Sequence, residues 1–243
     1  MSATFGIELE VSDLSIPAAR HRLNLAGLNT WEAKPDGTRN VSAEAVSPIL
    51  NYTQLQQGSI AARALLTGGA TVNRQTGYHV HLGANHYGIE GIALLVQNWN
   101  LAHATIGALV APSRLNNNFC KPVDLSELDN WVEHVRNGNI ANYRSGRYYS
   151  LNLAAYSQHT TVEFRLHHGT LNGSKIKAWA QFCHAVAEFS KAGNVLDSQF
   201  SAVTDSADRL NKVAALLELL TIAECLEPQT STYLKARAGE LNA

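Results

Sequence analysis

The chain carries little charge. Of its 243 residues, 16% are Asp, Glu, Lys or Arg, against about 25% in an ordinary soluble domain. The formal net charge of −1 gives no global attraction to nucleic acid or to an anionic membrane, and leaves only local patches. Cysteine is scarce. Cys120, Cys183 and Cys225 are far apart and form no CxxC pair, which argues against a disulfide framework and a structural zinc site and points to a reducing compartment. Long apolar runs are missing. The longest, about 89–112, is interrupted by Gln97, Asn98, Asn100 and His103, so it reads as a buried helix and not as a membrane span. The N-terminus lacks the basic and apolar regions of a signal peptide, and Glu8 and Glu10 stand where the apolar region would fall. The expectation is a cytoplasmic protein without a membrane partner. Common nucleotide and hydrolase signatures are also missing: no G-x-x-x-x-G-K-[ST] loop, no G-x-G-x-x-G after a strand and no G-x-S-x-G elbow. A nucleotide bound here is held by metals and arginines, not by a glycine cradle.

What is present is a 45% hydrophobic chain with enough length to bury a substantial core. No linker, repeat or low-complexity tract divides it, which predicts a single domain over 1–243 with a helical C-terminal portion from about 175. The spacing predicts a strand over 4–11, then a helix over 16–26 with Ser15 as its N-cap and Pro17 in its first turn. Short strands over 29–34 and 43–46 flank the turn Pro35-Asp36-Gly37. A helix over 53–66, a strand over 78–83 and a long helix over 89–110 follow. The Asn/Gly-rich region 112–147 contains a short helix near 125–135. Strands over 148–154 and 160–166 read as a pair. Leu210, Val213, Leu217 and Leu220 recur at helical spacing. Strands first and helices last predict an α+β fold: a curved, mostly antiparallel sheet with helices on one face and an open active-site face.

Three segments alternate chemistry-bearing side chains with apolar ones: Phe5-Gly-Ile-Glu-Leu-Glu-Val11, Tyr78-His-Val-His-Leu82 and Thr161-Val-Glu-Phe-Arg-Leu166. Residues two apart on a strand share a face. Glu8 with Glu10, His79 with His81, and Glu163 with Arg165 therefore share faces. The opposite faces hold Ile7, Leu9 and Val11; Val80 and Leu82; and Val162, Phe164 and Leu166. If the three lie in one sheet, one face is core and the other collects carboxylates, imidazoles and a guanidinium. A merely solvated strand face usually carries Thr, Lys, Ser and Gln. Clustered carboxylates resist ionising, and bound cations relieve their repulsion. Hard ions such as Mg²⁺ favour such oxygen donors. Asp36 is also an ordinary turn residue, while Glu44 enters an apolar strand, where plain solvation is unsuitable. The His79-Val-His81 pair admits a rival reading as zinc ligands of a hydrolase. Glu163 and Arg165 admit a reading as a simple ion pair, or as a metal ligand and a phosphate contact. Arg144 and Arg147 are further phosphate contacts or solvated loop arginines.

The order of these motifs resembles a known family. Phe-Gly-Ile-Glu-Leu-Glu, then Trp…Asp-Gly-Thr…Glu-Ala-Val-Ser-Pro-Ile-Leu, then Gly-Tyr-His-Val-His, then Leu-Asn-Leu…Thr-Val-Glu-Phe-Arg-Leu…Gly-Thr-Leu is similar to the amidoligases of the glutamine synthetase-like carboxylate–amine ligase superfamily. The resemblance runs from residue 5 to about residue 190. It implies a sheet like that of the glutamine synthetase catalytic domain, ATP, two or three Mg²⁺ or Mn²⁺ ions, and amide or peptide bond formation through an acyl phosphate. It implies Glu8, His79 and Glu163 around the ion facing the nucleotide, and Glu10, Asp36 and Glu44 around the ion facing the carboxylate substrate. Arg165 and Arg147 would stabilise the transferred phosphoryl group, with His81 supporting the cofactor site. The substrates it implies are small-molecule or peptide carboxylates and amines, with a modified nucleotide as another choice. A non-catalytic binding module on the same scaffold is a third reading.

Overall fold

The structure is a computed structural model that describes residues 2–38, 40–115, 117–143 and 146–242. Arg144 lies outside them. The chain forms two compact units, one of residues 1–82 and 167–180, the other of residues 83–166 and 181–243. Together they give a mixed α+β fold.

The first unit is built on four strands: β1 (Phe5–Val11), β2 (Glu32–Lys34), β3 (Ala43–Val46) and β4 (Tyr78–Gly83). They run in the order β2-β3-β1-β4, every pairing antiparallel. Helices α1 (Ile16–Leu25) and α2 (Gln56–Thr67) belong to this unit. The Ser15 hydroxyl accepts from the Ala18 amide at the start of α1, with Pro17 in the first turn, the arrangement a helix needs to satisfy its first donors. On β1 and β4 the apolar set Ile7, Leu9, Val11, Tyr78, Val80 and Leu82 is buried. Helix α2 lies close against it through Gly58, where a Cβ would come within 2.9 Å of Ile7 Cδ1 and 2.8 Å of Ile176 Cγ2. The Tyr78 hydroxyl donates to the Ile176 carbonyl (2.8 Å).

The second unit holds helices α3 (Gly88–Leu101), α4 (His103–Ile106), α5 (Pro112–Leu115), α6 (Leu125–Arg136) and α7 (Ala155–His159), and strands β5 (Leu151–Asn152) and β6 (Thr161–Phe164). Helix α8 (Gly173–Lys191) begins in the first unit and ends in the second; α9 (Ser206–Ile222) and α10 (Pro228–Asn242) follow. Strands β5 and β6 pair antiparallel. Trp99 centres this unit's core, its ring edge-on to Phe164 and its indole N–H on Ser150 Oγ (3.0 Å). On α9, Val213, Leu217 and Leu220 are buried and Leu210 is only partly so.

Two elements depart from the periodicity. The run expected as one helix over 89–110 divides at Ala102 into α3, α4 and a 3₁₀ turn over 107–109. There Asn100 clamps the backbone of Val123 through both ends of its amide, and Gly107 admits Leu115 where a Cβ would meet it at 2.3 Å. The strand expected over 148–154 is only two residues long. Asn152 Oδ1 accepts the Ala154 amide (2.9 Å) and turns the chain into α7, as Asn side chains do when they compete for local backbone donors. No helix among the described residues is long and apolar enough to cross a membrane.

Candidate metal centre

Antiparallel register places the chemistry of the first unit. Glu8 stands directly across from His79, Gly6 from His81, Glu10 from Glu44, and Lys34 from Glu44. Directly opposed side chains are the closest neighbours a sheet offers. The result is a continuous polar patch on the face opposite Ile7 and Leu9. It is not a solvated face: Glu10, Glu44, His79 and His81 are buried, and the Glu8 side chain is 16% exposed.

His79 lies between two carboxylates, its Nδ1 3.4 Å from Glu8 Oε2 and its Nε2 3.7 Å from Glu10 Oε1. His81 Nε2 is 3.3 Å from the other Glu8 oxygen. Glu10 also accepts the Gly77 amide at 2.6 Å, in a buried hydrogen bond. A Cβ at Gly77 would sit 2.5 Å from His79 Nε2, so a side chain there requires the imidazole to move. The turn before it is fixed by Asn73, whose Oδ1 accepts the Gln75 and Thr76 amides while its Nδ2 donates to Ser12 Oγ at the end of β1.

Donor atoms of Glu8, Glu44 and His79 all lie within 4.8 Å of one another, and so do those of Glu10, Asp36 and Glu44. Glu44 belongs to both sets. Among the described residues no such set contains both His79 and His81, which removes support from a two-histidine zinc site. The electrostatics match a cation-seeking centre. Burial and the adjacent Glu8 carboxylate push Glu44 up to about 8, with Lys34 only partly offsetting them. Burial also works to raise Glu8, but hydrogen bonds and charge from His79 and His81 outweigh it and hold Glu8 below the usual carboxylate range. Two carboxylates thus share a buried space with too little positive charge to keep both ionised, the condition a divalent ion relieves. The oxygen-rich donor sets with one imidazole fit Mg²⁺ or Mn²⁺.

In the second unit, Glu163 is buried on β6. Asn152 Nδ2 donates to its Oε2 (2.6 Å), and Arg165 forms an ion pair with its Oε1. The guanidinium of Arg114, itself buried, donates to the carbonyls of Arg165 (2.7 Å) and Leu166 (3.2 Å) and so fixes the end of this segment. Arg147 is exposed, with its guanidinium 5.5 Å from the Tyr148 ring centroid. Lys34, Gly77, Asn152 and Arg114 escape a search for metal ligands. Only Asn152, flanked by Leu151 and Leu153 in an alternating triplet, carries a pattern that marks it.

The chain belongs to the family described as "Putative amidoligase enzyme", whose model matches residues 24–187. No sequence among curated proteins matches. Among solved structures the chain is similar to one titled as the complex between the prokaryotic ubiquitin-like protein Pup and its ligase PafA. That similarity has a TM-score of 0.46 and 12% identity over 99% of this chain, which spans 64% of the other.

Proposed function

We propose that the protein is an ATP-dependent carboxylate–amine ligase that forms an amide or peptide bond through an acyl phosphate, with two or three Mg²⁺ or Mn²⁺ ions. The observation that carries this reading is the pair of donor sets meeting at Glu44 in a chain of the amidoligase family. A carboxylate is a poor electrophile at neutral pH, and phosphorylation gives it a leaving group. Divalent ions, when bound, neutralise charge on the phosphoryl oxygens during transfer. Glu8, Glu44 and His79 hold one ion; Glu10, Asp36 and Glu44 hold another. Glu163 serves as a ligand on the nucleotide side, as the family resemblance implies, and His81 orients Glu8. Arg165, already seated on Glu163, and Arg147 present guanidinium groups to the transferred phosphoryl, where planar two-pronged donors outperform an ammonium. The amine then attacks the acyl carbon and loses a proton, and phosphate departs with the electron pair of the broken carbon–oxygen bond. The substrates fall among small-molecule or peptide carboxylates and amines, a modified nucleotide included, and the cytoplasm supplies both ATP and Mg²⁺.

The test is ADP release with pooled amino acids and peptides. ADP is expected only when Mg²⁺, a carboxylate and an amine are all present. Amide hydrolysis without ATP would contradict the reading and favour a hydrolase.

A further inference from the structure

A lysine adjoins the carboxylate cluster of the first unit. Lys34 sits on β2 directly across from Glu44, with Nζ 3.3 Å from Glu44 Oε2. Its side chain is 45% exposed and that of Glu44 is 9% exposed. An ordinary exposed cross-strand pair contributes little. This one differs in its acidic partner, which is buried and shared by both donor sets. The lysine is also presented rigidly. Arg20 Nη2 donates to the carbonyl of Ala33 (3.1 Å), Trp31 Nε1 donates to Gln57 Oε1 (3.2 Å), and Ala33 is buried. Its ammonium therefore reaches the carboxylate cluster from the solvent side.

We propose that Lys34 is a placeholder cation: its ammonium occupies Glu44 in the metal-free protein and gives that carboxylate up when a divalent ion binds among Glu10, Asp36 and Glu44. The inference rests on the metal reading of this site. The physical need is plain, since carboxylates packed this closely must be partly neutralised for the sheet to form before metal arrives. A divalent ion places more charge at the same oxygens, and its repulsion drives the ammonium back to solvent.

The test is amine-reactive labelling of the whole protein at about pH 9, where both the Glu44 carboxylate and most of the Lys34 ammonium are charged, read residue by residue by mass spectrometry, with and without Mg²⁺. A parallel calorimetric titration establishes that Mg²⁺ binds. Labelling of Lys34 is expected to accelerate roughly threefold or more on adding Mg²⁺, through loss of the ion pair and the nearby charge. Lys212, paired with Asp208 on α9 at 2.9 Å, is the internal control and stays constant. In Glu44→Gln, Lys34 should label fast without Mg²⁺ and fail to respond to it. An unchanged Lys34 rate in wild-type protein that demonstrably binds Mg²⁺ overturns the placeholder role and leaves the metal centre standing. Absence of Mg²⁺ binding in the titration overturns the metal reading, and the placeholder with it.

Discussion

At the residue scale, the centre depends on atoms that are withheld as much as on atoms supplied. Gly77 offers its amide to Glu10 and leaves the space that the His79 ring occupies. Gly77→Ala should fold, because its nearest obstruction is a side chain, but it must push the imidazole off its place between Glu8 and Glu10. We expect Mn²⁺ affinity to fall about tenfold or more, in line with the loss of a group that orients a metal ligand; paramagnetic resonance of free Mn²⁺ reads it directly. Affinity within twofold of wild type would show that the His79 position is immaterial. Arg165→Lys should keep the fold and lose most turnover, since an ammonium cannot reproduce two parallel phosphate contacts. Wild-type turnover in that variant would remove Arg165 from the mechanism. Glu8, Glu10, His79, His81 and Glu163 were legible in the sequence because alternation alone assigns a face. Lys34 and Gly77 were not, because their importance lies in what stands opposite them, and cross-strand register is not written in any one strand.

At the element scale, the apolar side of β1 and β4 is sealed by α2 at Gly58. Gly→Ala within a helix ordinarily gains about 1 kcal/mol. Here the added Cβ would meet Ile7 and Ile176 below 3 Å, and overpacking costs about 1–3 kcal/mol. Gly58→Ala should therefore be less stable than wild type in urea unfolding, against the propensity; a gain would show the contact to be soft. Strands β1 and β4 were readable from their period of two, and α1 from Ser15 and Pro17. The ends of β5 and the break at Ala102 were not. The break is set by Asn100 and Gly107 answering Val123 and Leu115, of which local propensity carries no record; the end of β5 is set by Asn152 taking the Ala154 amide, a choice its strand-like neighbours Leu151 and Leu153 mask.

At the scale of the whole molecule, the buried carboxylates tie stability to pH and to metal. Glu44 is pushed up to about 8, from 4.5 when unfolded. A group whose folded-state value is raised contributes stability below its unfolded value and loses it as pH rises through the folded one. His103 and His184, lowered by burial from 6.5, titrate beneath pH 7. Glu8, held low, loses its contribution only in acid. From pH 7 to 8 the metal-free protein should thus lose stability, by at most about 1.4 kcal/mol per pH unit for one proton. Glu44→Gln should flatten that slope, and saturating Mg²⁺ should abolish it. Thermal unfolding at pH 7 and 8 checks all three, and a slope unchanged in Glu44→Gln would place the titration elsewhere.

On the proposed reading this sheet face holds ATP through divalent ions. The decisive measurement is calorimetric titration with a non-hydrolysable ATP analogue, with and without Mg²⁺. Saturable binding that requires Mg²⁺ and disappears in Glu8→Gln is expected. Failure of the analogue to bind in the presence of Mg²⁺, or equal binding without it, would rule out a metal-dependent ATP site on this face.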